Sequence, residues 1–167
     1  MTKLIISLLV GSLTLQPPPA LATETPDPEL KEHLFLVDVI EQLGVKVNFG
    51  GPVCRSKPGL YGNYATNGSV MNLCEVGDRE ERLDTLRHEA AHVLQDMSDC
   101  SIRDNVALKP IFSAGLVEPS FIAMASKGYH PYQVASEAEA AWMASTFSAR
   151  QINILLFNKA KSCGYKF

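Results

Sequence analysis

No basic cluster interrupts this chain. Lys and Arg number 15 against 18 Asp and Glu, a net charge of −3 over 167 residues, so the electrostatic footprint of a nucleic-acid partner is missing. Beyond the first two dozen residues there is no apolar run near the ~20 residues a membrane-spanning helix needs. There is no C-x-x-C pair, which excludes the usual cysteine zinc sites. Internal repeats and low-complexity tracts are also lacking, so repeat architectures are excluded.

What is present begins with an expected export signal over residues 1–22. Lys3 gives a positive start, Leu4 to Leu15 an apolar stretch, Pro17-Pro18-Pro19 a break and Ala20-Leu21-Ala22 an A-x-A cleavage pattern. Removing 22 of the 167 residues leaves 145, one domain's worth, with Lys3 gone and the net charge at −4. With 46% apolar residues a full core is within reach. Four cysteines (Cys54, Cys74, Cys100, Cys163) read as two disulfides in an oxidising compartment, periplasmic or extracellular. Of the three connectivities, Cys54–Cys74 and Cys100–Cys163 is the expected one. Cys54 and Cys74 bracket a hairpin region, and Cys163 then ties the C-terminal helix to the end of the central one.

Periodicity orders the chain. Leu30, Leu34, Val37 and Ile40 at spacings of three and four predict a helix over Glu29–Leu43, started by Asp27-Pro28 and ended by Gly44. Val45–Phe49 alternates apolar and polar, as a half-buried strand does, and Gly50-Gly51-Pro52 closes it. Leu60–Ala65 and Ser69–Cys74 read as two strands joined at Asn67-Gly68. A helix over Asp78–Ser98 follows, then a loop-rich connection over Asp99–Pro119. Helices are expected at Pro119–Lys127, Tyr132–Arg150 and Gln151–Ser162, with Gly128-Tyr129-His130-Pro131 separating the first two.

The Asp78–Ser98 helix carries the chemistry, as His88-Glu89-Ala90-Ala91-His92. Histidines four apart lie about 40° apart around a helix and roughly 6 Å along it, so both imidazoles can reach one Zn²⁺ while the adjacent glutamate reaches a water there. Leu83, Leu86, Ala90, Leu94 and Met97 form an apolar stripe on nearly the opposite side. Histidines that merely filled a core would share that stripe, and these do not.

Three protein ligands with one open position are usual for a catalytic zinc. A third histidine six residues beyond His92 would define one subclass, but Ser98 stands there. A carboxylate from a later helix remains, in Ser136-Glu137-Ala138-Glu139-Ala140-Ala141. Glu137 and Glu139 point about 200° apart, so only one of them can face the metal, unless some other group supplies the third ligand. Glu137 is preferred: its face carries Val134, Ala140, Ala141, Ala144 and Ser148, small enough for helices to approach closely. Glu139 shares its face with Trp142 and Met143 and is the alternative ligand; otherwise a solvated or network role is expected of it.

His88-Glu89-Ala90-Ala91-His92-Val93-Leu94-Gln95, followed by Glu137-x-x-Ala140, resembles the gluzincin zinc metallopeptidases. The resemblance covers about 35 residues. It implies His88 and His92 as ligands, Glu89 as general base, Glu137 as third ligand, and a strand before the helix as an edge that aligns an extended substrate. Ala141 departs from it, since many gluzincins have an acid four residues after the ligand glutamate. A partner for a zinc histidine therefore has to come from elsewhere.

The expected fold class is α+β. A small zincin-like domain over residues 23–167 has a short sheet with an antiparallel pair packed on the HExxH helix, then a mainly helical C-terminal half. The expected protein is a secreted monomer with one zinc ion, hydrolysing a peptide or protein substrate. Tyr129, His130 and Tyr132 are the candidate oxyanion stabilisers. The rival readings are a catalytically idle zincin-fold binding or adhesion module, against which the intact Glu89 speaks, and a structural zinc protein, against which the open fourth position speaks.

Overall fold

The computed structural model describes residues 27–100, 102, 108–112, 119–131 and 133–166. The expected export signal, Tyr132 and most of the Asp99–Pro119 connection lie outside them. Helix α1 spans Pro28–Gln42, with the Asp27 side chain accepting from Glu29 N–H at 3.0 Å and proline in the first turn. Strand β1 covers Lys46–Phe49, helix α2 Pro52–Ser56, β2 Gly62–Ala65 and β3 Val70–Leu73. Helix α3 (Arg79–Asp96) carries the motif, and α4 (Pro119–Gly128), α5 (Val134–Thr146) and α6 (Ala149–Ser162) follow.

The class is α+β, with a three-stranded mixed sheet of order β1-β3-β2. β1 runs parallel to β3, in a register that sets Val47 beside Met71, and β2 runs antiparallel, with Tyr64 beside Met71. The strand immediately before the motif helix is therefore the central one. The edge next to the helix is β2, because the chain turns back through a short 3-10 turn at Thr66–Gly68 before laying β3 between its neighbours. That turn replaces the two-residue hairpin expected at Asn67-Gly68, and the left-handed position falls on Ser69 (φ 48°).

The apolar stripe of α3 is buried as its spacing requires. Leu86, Ala90, Leu94 and Met97 join one core with Leu36 and Ile40 of α1, Met71 and Tyr64 of the sheet, and Ile152 and Leu156 of α6. The opposite face is not left in solvent. α5 packs along it, so that α3 is buried continuously from Glu89 to Asp96. Arg87 stitches this arrangement. It donates to Ala144 O in the last turn of α5 at 2.9 Å and meets His33 Nε2 of α1 at 3.1 Å. A cation at a helix C-terminus is also favoured by the helix dipole.

Two elements differ from expectation. Tyr132–Arg150 is not one helix: α5 stops at Thr146, Phe147 is extended, and Ser148 caps α6 in a reciprocal box with Gln151. Ser148-x-x-Gln151 is the sequence signature of such a box, so α6 starts two residues earlier than the expected Gln151. Helix α2 was not expected, and it begins at Pro52 directly after Gly51 (φ 102°). The cysteines pair as Cys54–Cys74 and Cys100–Cys163.

Candidate metal centre

His88, Glu89 and His92 project from the middle of α3, and Glu137 comes from the first turn of α5. Small residues allow the helices to meet there: Ala140 is fully buried and Ala144 nearly so. Three donor atoms converge. His88 Nε2 and His92 Nε2 are each 3.3 Å from Glu137 Oε2, and the two nitrogens are 3.1 Å apart. Among the described residues this is the group whose side chains could hold a metal ion. Glu139, the alternative ligand, points away into the core and is fully buried.

The partner that the sequence left unassigned for His92 is Gln95, three residues further along the same face. His92 Nδ1 lies 2.8 Å from Gln95 Oε1. The other end of that amide is committed twice over, Gln95 Nε2 donating to Glu139 Oε2 at 2.7 Å and to Ser136 O at 2.9 Å. The amide orientation is thereby fixed, so Oε1 is the acceptor and Nδ1 carries the proton. In the neutral ring this leaves the Nε2 lone pair facing His88 and Glu137. Glu139 is anchored in turn, accepting from Ile111 N–H at 2.9 Å and from Phe112 N–H at 2.6 Å. The Glu139 carboxylate thus fulfils a network role, two hydrogen bonds removed from His92.

The electrostatics favour a positive charge at the convergence point. Burial acts against a charged His92, but the hydrogen bond it donates to Glu137 and the charges of Glu89 and Glu137 outweigh it and raise the pKa to about 9. Burial likewise acts against Glu137 carboxylate, yet its bonds to His88 and His92 bring it down to about 2. A half-buried anion between two imidazoles attracts either a proton or a metal cation.

Glu89 stands beside this group with different chemistry. Its Oε2 is buried and has no hydrogen-bond partner among the described residues, while the backbone N–H of Tyr64 on β2 bonds to the carboxylate. Burial pushes the Glu89 carboxyl up, against the pull of His92 and His88. The close approach of β2 depends on Gly62. A Cβ at that position would lie 2.6 Å from Thr85 Cγ2 and 2.7 Å from Glu89 Oε1.

The cleft over these groups has a volume of about 290 Å³. Gly59, Leu60, Tyr61 and Gly62 form one wall, Asp84, Thr85, His88 and Glu89 the floor, and Tyr129 the far side. Burial raises the Tyr129 hydroxyl to about 12, followed by the charges of Glu137 and Glu89, and it hydrogen-bonds Glu137. His130 is exposed and is not among the residues that line the cleft.

Gln95, Gly62 and the anchoring of Glu139 were not read from sequence as parts of the site. Gln95 had a signal, the i,i+3 spacing from His92. Gly62 had a weaker one, a glycine inside a strand where another element comes close. No protein-family model matches this sequence, and no curated protein or solved structure is significantly similar to it.

Proposed function

We propose that this protein is an exported zinc metallopeptidase of gluzincin type, in which His88, His92 and Glu137 hold the metal and Glu89 is the general base. The observation that carries the reading is the donor triangle with edges of 3.1, 3.3 and 3.3 Å. Ligand atoms held tetrahedrally at 2.0–2.1 Å from zinc stand about 3.3–3.4 Å apart, so these side chains need hardly move. Two imidazole nitrogens and one carboxylate oxygen also match the ligand set of a zinc with an open position. When bound, the ion supplies a Lewis acid and lowers the pKa of water from about 15.7 toward about 7.

The chain's own groups complete the chemistry. Glu89 Oε2, buried beside the histidines and without a partner among the described residues, takes the proton of the attacking water and returns it to the leaving amine. Tyr129, across the cleft, has one hydroxyl proton, which it gives to Glu137 here and would turn toward the developing oxyanion. His130 is not assigned that role. β2 offers an edge beside the floor of the cleft, suited to an extended peptide substrate. Two disulfides, and no helix among the described residues able to cross a membrane, accord with an exported protein. The test is metal content by mass spectrometry beside hydrolysis of unfolded casein. One zinc per chain is expected, with activity lost in Glu89→Gln; a metal-free active protein would refute the reading.

A further inference from the structure

A second site lies between α1 and α6, in a groove of about 660 Å³ that shares no residue with the cleft. α6 has two apolar faces. Ile152, Leu156 and Ala160 enter the core, while Ile154 and Phe157 line the groove and remain 52% and 46% exposed. Phe35 of α1 faces them and is 58% exposed. A helix that is apolar on two sides has a second surface to bury.

Asn153 in the groove wall says what kind of surface. The residue is 5% exposed, yet neither its Nδ2 nor its Oδ1 has a hydrogen-bond partner among the described residues. An amide buried in this way costs stability unless a partner supplies both an acceptor and a donor. An acyl chain brings neither. A partner helix spends its own N–H and C=O groups internally. An extended polypeptide shows the N–H and C=O of one residue on the same side, spaced to meet a carboxamide at both ends. Phe35, Ile154 and Phe157, which share the groove with Asn153, are exposed, and a rotamer change of Asn153 would turn its amide toward a backbone laid along them.

We infer that the α1–α6 groove docks an extended, apolar segment of a partner polypeptide, with Asn153 pairing both backbone groups of one partner residue. This does not depend on the metallopeptidase reading, because none of its residues touches the metal centre.

The probe is the blocked tripeptide acetyl-Leu-Ile-Phe-amide, added to the full-length ¹⁵N-labelled Glu89→Gln protein so that it is not cleaved. The Asn153 side-chain NH₂ signals should move, together with those around Phe35 and Phe157. Asn153→Leu should weaken binding about 10-fold, the worth of two hydrogen bonds, while raising the Tm because an unpaired buried amide is gone. Methylating the isoleucine nitrogen of the probe should weaken binding to the parent protein and leave binding to Asn153→Leu unchanged. A lower Tm in Asn153→Leu would overturn the proposal by giving the amide a structural role. So would tripeptide shifts confined to the cleft, equal occupancy by dodecanoate, or a concentration-dependent dimer that covers the same signals.

Discussion

Gln95 Nε2 donates to Glu139 Oε2 across 2.7 Å, and neither side chain has any exposure to solvent. The pair decides which nitrogen of His92 is protonated, since it leaves Gln95 Oε1 as the acceptor at Nδ1. Gln95→Leu keeps the bulk and removes the bond. Zinc affinity should fall about 10–100-fold, as is usual when the partner of a ligand histidine is lost. Competition against a chelating dye measures it, and an undiminished affinity would remove Gln95 from the site.

Glu137→Gln should cost more zinc affinity than Glu139→Gln. The first removes a charged donor from the triangle, so its loss should exceed the ~100-fold limit of indirect effects. The second acts through Gln95 and stays below that limit. It also weakens the acceptor that holds Ile111 and Phe112 N–H, so chemical denaturation should show it less stable by about 1–3 kcal/mol. The opposite ranking of affinities would transfer the ligand role to Glu139.

Glu89→Gln separates holding the metal from using it. The amide is the same size, so zinc content should be retained while hydrolysis drops by at least ~10²-fold. Activity equal to that of the parent would mean another group takes the proton.

Gly62→Ala tests the approach of β2 to the helix. The added methyl meets Thr85 Cγ2 and Glu89 within 3 Å, and overpacking of this kind costs about 1–3 kcal/mol. Zinc content should survive while turnover falls, because the displaced group is Glu89 rather than a ligand. Thr85→Ser removes the nearer contact and should restore part of the stability; a neutral Gly62→Ala would show that the strand has slack.

The disulfides should differ in worth. Cys54–Cys74 closes 20 residues and Cys100–Cys163 closes 63, which the chain-entropy model converts to about 3 and about 4 kcal/mol. Paired Cys→Ala variants compared by urea denaturation should follow that order.

Much of this was legible because it is local. The i,i+4 histidines, the stripe Leu86-Ala90-Leu94 and the capping chemistry of Asp27 are all decided within a turn or two of helix, and the sequence displays them directly. The preference for Glu137 over Glu139 rested on the same local logic, that small residues at 140 and 144 admit a neighbouring helix, and the fold brings Glu137 to the two histidines. What escaped depends on residues distant in sequence. Nothing near Gln95 announces that Glu139, 44 positions later, will fix its amide. The order β1-β3-β2 is likewise unreadable from three short strands, because each offers two edges and the choice rests on parallel pairing across 24 residues. The break after Thr146 was local and readable from Ser148-x-x-Gln151, but the apolar pattern running through it masked the boundary.

His88 and Glu137 are 49 residues apart in the chain. A metal ion joining them would be a cross-link with a span between those of the two disulfides, and one that a chelator could open. The covalent bridges fasten the hairpin region and the C-terminal helix, whereas among the described residues the polar contacts of α5 to α3 run through Arg87, Gln95 and the pairing of Glu137 with His88 and His92. Scavenging the ion should therefore loosen α5 before anything else. Limited proteolysis in EDTA would then cut first around residues 128–148, and the ion would serve as the fold's removable pin as well as its reagent.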